Sequence, residues 1–296
     1  MTHNPNNTDN HNKAFGFGIA LNIIYIVIEV VFGLLVSSMA LIADAGHNLS
    51  DVLGLLLAWG AALLARTLPT KKRTYGLRKS TILAALFNAL ILLIAVGAIS
   101  IEAIRRLINP QQVQGSTMMI VAGVGVLINA VTAYLFVKGK EKDINIRGAY
   151  LHMAADAGVS AGVVVAGLLI TITGWLWLDP VISLVIVLVI TIGTWDLLRD
   201  SFLMSVDAVP KGISLKEVEG HLKKIPGVAE IHDLHIWAMS TTETALTVHL
   251  VMPDSNPGDY FLKEICGDLQ KNFGIEHSTI QVEKDAQSAN CSADNI

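Results

Sequence analysis

Six apolar runs dominate the chain, at about 14–36, 39–65, 81–104, 116–137, 149–173 and 180–198. A helix needs about 20 residues to cross a hydrocarbon core roughly 30 Å thick, so each run is of spanning length. Composition agrees, since 52% of the 296 residues are hydrophobic and only 16% are charged. The expected class is an α-helical membrane protein of six spans, with length left over for one small soluble domain. A formal net charge of -4 leaves no basic excess to meet phosphates, which argues against a nucleic-acid partner. Cys266 and Cys291 form no CxxC pair, so no disulfide framework is expected and a reducing compartment suits the chain.

Span ends carry their own signals. The start, "MTHNPNNTDNHNK", lacks the basic region, apolar run and cleavage site of a signal peptide, so the first span is expected to stay in the mature protein. Trp175 and Trp177 fit an interfacial aromatic belt ahead of span six, and Pro180 fits a first helical position. With the N-terminus inside, twelve Lys and Arg residues, from Lys13 to Arg199, fall at inner ends and only Arg105 and Arg106 at outer ends. The positive-inside rule then puts both termini in the cytoplasm.

From about residue 208 the composition turns soluble. Ser214 and Glu217 form a capping box before a helix expected to end near Pro226-Gly227. "VAEIHDLHIWAM" and "ETALTVHLVM" read as strands, with "STT" as the turn between them. "NPGDYFLKEICGDLQKNFG" reads as a helix and "HSTIQVE" as a last strand, giving an α+β domain in the order α-β-β-α-β. The expected division is a disordered tail at 1–12, a transmembrane domain at 13–207, a cytoplasmic domain at 208–284 and a disordered tail at 285–296.

Chemistry concentrates where the membrane should exclude it. The run "LIADAGHNLSDVLGLLLAWGAALLA" carries Asp44, His47 and Asp51 on one helical face. His47-x-x-x-Asp51 in span two is echoed by His152-x-x-x-Asp156 in span five, and "ADAG" occurs in both. His and Asp at i, i+4 share a side of a helix, so two such helices face to face would offer two imidazoles and two carboxylates. That N2O2 set suits Zn²⁺ and tolerates Co²⁺ or Cd²⁺. The small residues Gly46, Gly54, Ala155, Ala157, Gly158 and Ala161 are expected to let the helices approach. The plainer alternative is two internal His–Asp hydrogen bonds that fix packing. Asp44 reads as either a vestibule charge or an interfacial residue, while Glu29, Asn22, Asn88 and Asn129 read as interhelical hydrogen-bonding groups.

"SSMALIADAGHNLSDVLGL", "RTYGLRKSTILAALFNAL" and "HMAADAGVSAGVVVAG" closely resemble the cation diffusion facilitators, and within them the zinc-transporting branch. The resemblance spans roughly residues 13–284. It implies that His47, Asp51, His152 and Asp156 bind the transported ion, and that His47 favours Zn²⁺ over Cd²⁺ or Mn²⁺. It also implies a homodimer and a metallochaperone-like cytoplasmic domain that binds Zn²⁺ as a regulatory ion. His232, His249 and Glu283 match such ligands, two further positions read Leu262 and Gln281, and His235 is a substitute; the alternative is that these are ordinary strand-face residues. The chain departs from relatives in its short, His-free "KGKEKDINIR" loop, in Thr81 where many have an acidic residue, and in a 67–79 loop without His or carboxylate.

The ligand set implies its own coupling. Zn²⁺ needs deprotonated ligands, so ion and protons compete for one site. A site opened alternately to each side would export cytoplasmic Zn²⁺ against external protons. No G-x-x-x-x-G-K-[ST] motif is present, so the expected transport is secondary; no HExxH occurs and four protein ligands leave no position for water, so the protein is not expected to be an enzyme. The alternatives are a zinc sensor without flux and an intramembrane metallohydrolase, which would need an open metal position. The short loops and missing signal peptide point to a bacterial inner membrane, with lipid as the surrounding solvent.

Overall fold

The computed structural model describes residues 22–137, 144–254 and 258–285. Six helices come first: α1 (Asn22–Leu35), α2 (Met39–Ala65), α3 (Ser80–Ile108), α4 (Gly115–Phe136), α5 (Ile144–Thr173) and α6 (Leu178–Ser205). Helices α2 to α6 are each long and apolar enough to cross a membrane; α1 is the described part of the first expected span, whose residues 14–21 lie outside the described set. The expected tail at 1–12, most of the tail at 285–296 and loop residues 138–143 also lie outside it. Large apolar side chains such as Leu56, Ile94, Ile120 and Leu188 are exposed along these helices, as a lipid-facing surface requires.

The chain divides into two compact units, 1–56 with 88–195, and 57–87 with 196–296. In the first, Leu41, Val96, Met118, Val163 and Ile186 form the core. Helices α4 and α5 pack with almost no space between backbones: a Cβ on Gly115 would sit 2.6 Å from the Gly167 carbonyl, and one on Gly167 would sit 2.8 Å from the Gly115 carbonyl. Only glycine fits at these two positions, the familiar device by which membrane helices gain contact area without a hydrophobic driving force.

The start of α2 is held by a side chain from α6. Asp179 is fully buried and accepts hydrogen bonds from the Met39 amide at 2.8 Å, the Ala40 amide at 3.1 Å and the Ser38 hydroxyl at 2.6 Å. It therefore caps a helix 140 residues away, satisfying first-turn donors that have no intrahelical partner. Arg106 donates to the Ser37 carbonyl in the same turn, where Ser37 adopts the left-handed conformation at φ 56°.

In the second unit the loop between α2 and α3 meets the soluble domain. Arg78 pairs with Glu243 at 2.8 Å, Lys79 with Asp207 at 2.7 Å, and the Thr241 amide donates to Thr81 Oγ1 at 3.1 Å. The soluble domain has the expected order: α7 (Leu215–Leu222), β1 (Glu230–Ala238), β2 (Thr244–Val251), α8 (Asp259–Phe273) and β3 (His277–Glu283). Ser214 caps α7 by accepting from the Glu217 amide at 3.3 Å, but the helix stops at Leu222, earlier than expected, and turns lead on to Gly227 at φ 90°. The sheet runs β1-β2-β3, with β1 antiparallel and β3 parallel to β2. A parallel neighbour requires a crossover, and α8 supplies it. Leu246, Val248 and Leu250 point to a core shared with Val218, Leu222, Ile265 and Leu269, which leaves the other sheet face free for polar groups.

Because Asp179 satisfies two backbone donors and a hydroxyl in a dry environment, Asp179→Ala should lower stability by about 2–3 kcal/mol. The unfolding midpoint of the purified protein in detergent reads this directly. A midpoint equal to wild type would show that the cap contributes nothing.

Candidate functional site

Helices α2 and α5 each present a His and an Asp one turn apart, and the structure brings all four side chains together. His47 Nε2 lies 3.3 Å from Asp156 Oδ1, and His152 Nε2 lies 3.2 Å from Asp51 Oδ2. The contacts within each helix are longer, at 3.8 Å for His47–Asp51 and 3.7 Å for His152–Asp156. Each imidazole is thus turned toward the carboxylate of the other helix, so the two pairs are not closed internal hydrogen bonds. One ligand atom from each of His47, Asp51 and Asp156 falls within a 4.8 Å cluster. His152 joins through the two carboxylates, its ring meeting His47 edge to face at 6.3 Å between centroids. Asp156 is buried, whereas the His152 side chain is 44% exposed, so the cluster is open on the His152 side among the described residues.

Two expectations about this region need correcting. The small residues of α2 do not serve the approach to α5: a Cβ on Gly46 would meet Ile99, and one on Gly54 would meet Asn88, both on α3. A Cβ on Gly158 of α5 would meet nothing within 4 Å. Besides the shared apolar core, Ser160 of α5 joins α2 by donating to Asp44 at 2.9 Å. Asp44 is neither a vestibule charge nor interfacial, because it is completely buried. Its position one turn before His47 turns it inward with the rest of that face.

The polar face of the soluble sheet holds a second cluster. His232 pairs in register with His249, and His249 with Gln281, so three strands put these side chains side by side. Glu283, two residues beyond Gln281, shares the face. It lies 3.0 Å from His232 Nε2 and 2.9 Å from His249 Nδ1, and it accepts from Gln281 Nε2 at 2.7 Å. His232, His249 and Glu283 offer three atoms within 4.8 Å.

His235 stands apart from that trio, meeting Asp233 at 2.7 Å, and Asp233 in turn lies 3.5 Å from His249 Nε2. The cause is a β-bulge. His232 opposes His249 and His235 opposes Thr247, so β1 spends one residue more than β2 over this interval. Strict alternation would send His235 to the opposite face from His232; the extra residue returns it to the same face. Asp233 takes φ 53° to make the bulge. Sequence reading passed over Asp233 as a site member because alternation alone cannot announce a bulge. The signal available was an Asp, one of the residue types that tolerate the left-handed region.

Comparison with known proteins adds to this geometry. Residues 17–204 match the cation efflux transmembrane domain, and residues 210–285 match the cytoplasmic domain of cation efflux proteins. The chain belongs to the cation efflux family. Members of this family are transporters rather than enzymes. The metal cation efflux system protein CzcD of Cupriavidus metallidurans is 37% identical over 95% of this chain and 89% of its own length. The zinc transporter ZitB of Escherichia coli is 34% identical over 95% of this chain and 90% of its own. The cadmium, cobalt and zinc/H(+)-K(+) antiporter of Bacillus subtilis is 33% identical over 89% of this chain and 86% of its own.

The bulge makes a prediction about Asp233. Asp233→Val places a β-branched residue at φ 53° and should cost roughly 1–2 kcal/mol in chemical denaturation, whereas Asp233→Asn should stay within about 0.5 kcal/mol of wild type. Equal losses in both variants would mean that the carboxylate, not the backbone, is what the position demands.

Proposed function

We propose that this protein exports Zn²⁺ in exchange for protons, with His47, Asp51, His152 and Asp156 as the ligands of the transported ion. The observation that carries the reading is the ring of four His–Asp contacts at 3.2–3.8 Å, the two shortest of them across the helices. Zn²⁺ bound at 2.0–2.1 Å in tetrahedral geometry sets its ligand atoms about 3.3 Å apart. His47, Asp51 and Asp156 each offer an atom within 4.8 Å of the others, and His152 stands 3.2 Å from Asp51 across the helices, so one ion would draw together groups already gathered from two different helices. Two neutral imidazoles and two carboxylates would leave bound Zn²⁺ with no net charge, which suits a site inside the membrane. The relatives' names, an efflux protein, a zinc transporter and a proton-coupled antiporter, point the same way.

Coupling follows from ligand chemistry. With the ion absent, the ligand set as a whole holds one or two protons; Zn²⁺ needs deprotonated ligands, so its binding expels them. If the helices expose the ring alternately to either side, ion and protons exchange across the membrane without a further energy source. We place the protein in a bacterial inner membrane as a homodimer with both termini cytoplasmic, the transmembrane domain at 13–207 and the soluble domain at 208–284. On the soluble domain, His232, His249 and Glu283 are proposed to bind Zn²⁺ as a regulatory ion, with Asp233 and His235 alongside.

Three measurements test the reading. In proteoliposomes, Zn²⁺ uptake should collapse with the pH gradient and fall by at least about 100-fold in Asp51→Ala or Asp156→Ala, since either removes a first ligand. Undiminished flux in both would end the proposal. Apparent Zn²⁺ affinity should rise with pH, because protons compete for the same ligand atoms. Replacing an imidazole by a harder carboxylate, as in His47→Asp, should shift relative uptake from Zn²⁺ toward Cd²⁺ and Mn²⁺ across a panel of divalent ions.

A further inference from the structure

Two more carboxylates lie buried in the first unit, outside the four-residue ring. Glu29 on α1 and Asp44 on α2 are both completely buried. Tyr25 donates its hydroxyl to Glu29 Oε1 at 2.5 Å, and Asn48 donates its amide to Glu29 Oε2 at 3.2 Å. Ser160 donates to Asp44 Oδ2 at 2.9 Å. Every one of these donors is neutral. Space for the arrangement comes from α4, where any side chain on Gly125 would collide with the Tyr25 hydroxyl.

The remaining oxygen decides the matter. Asp44 Oδ1 is buried and has no donor among the described residues, and Asn48, one turn further along α2, holds Glu29 against the same helix. Ionised carboxylates only accept, so two of them adjoin in a dry interior only with a proton between them. The charged or titratable groups facing Asp44 are Glu29 and Tyr25 on α1, His47 on its own helix and Asp156 on α5; those facing Glu29 are Asp44 and Tyr25. No Lys or Arg among them stands ready to neutralise the pair.

We infer that Glu29 and Asp44 form a proton-binding site, a carboxyl–carboxylate pair that shares one proton and relays protons to the transport ligands. Both ends of its network lead there. Asp44 is one turn from His47 on α2, and Ser160 is one turn from Asp156 on α5. When the ion leaves, the shared proton passes to the vacated ligand set, and a proton from water replaces it on the pair. The pair therefore ends each cycle as it began. The relay step rests on the ligand assignment proposed above, whereas the shared proton rests only on the burial and donor inventory of Glu29 and Asp44.

Infrared difference spectroscopy on the full chain at neutral pH separates these. In an Asp51→Asn/Asp156→Asn background, a protonated-carboxyl C=O band should persist and should disappear when Glu29→Gln and Asp44→Asn are added. Absence of the band in that background overturns the proton site. In proteoliposomes, Glu29→Gln should slow proton-driven Zn²⁺ uptake by at least about tenfold and flatten its dependence on the pH gradient. Equilibrium Zn²⁺ binding should stay within about threefold of wild type, because Glu29 is not one of the four ligands. Wild-type uptake with wild-type pH dependence overturns the relay. Asp44→Asn is read in parallel in case Glu29→Gln does not fold. If the unsubstituted protein carries no Zn²⁺ at all, the transport reading fails, and the infrared band still decides the pair.

Discussion

An ionisable side chain inside hydrocarbon must be neutralised by something the protein itself brings, and the first unit is organised around that requirement. Asp179 is met by two backbone amides and a hydroxyl at the start of α2. Asp51 and Asp156 are met by imidazoles from the opposite helix. Glu29 and Asp44 are met by neutral donors alone. These three solutions differ in what they permit. Backbone amides never leave, so Asp179 is a permanent fastener. An imidazole can carry either a proton or a metal ion, and in the function proposed above these four groups exchange one for the other. A carboxyl pair with neutral donors has only protons to exchange.

This ordering along α2 is physically coherent. Its first turn is fixed by a tether from α6, its middle carries the polar face toward α5, and its later part is apolar. Packing by glycine at Gly115 and Gly167 keeps α4 and α5 in close register, so α5 presents His152 and Asp156 from a well-braced partner.

The soluble domain solves a different problem. One sheet face is committed to a core of Leu, Val and Ile, and the other collects His232, His249, Gln281 and Glu283 at neighbouring register positions. A single bulge then adds Asp233 and His235 to the polar side. One backbone irregularity thus enlarges a cluster of four polar side chains to six, at the expense of a left-handed residue.

Length and apolarity of the runs, together with the alternation of Leu246, Val248, Leu250 and Met252, made the helical class and the α-β-β-α-β order readable, because both follow from local periodicity. The repeated H-x-x-x-D spacing was likewise local, since four residues make one helical turn. Tertiary structure alone decided the rest. Which imidazole meets which carboxylate depends on how α2 rotates against α5, and no spacing within either helix contains that angle. Asp44 moved from an expected surface position to complete burial because Ser160 and Glu29 come from other helices. Gly46 and Gly54 turned out to serve α3, a choice made by packing rather than by residue size. Asp233 entered its cluster through a bulge whose register depends on the partner strand. The sequence by itself determined the elements and the chemical groups they carry; only the fold determined which groups neutralise one another, because that depends on distances between segments far apart in the chain.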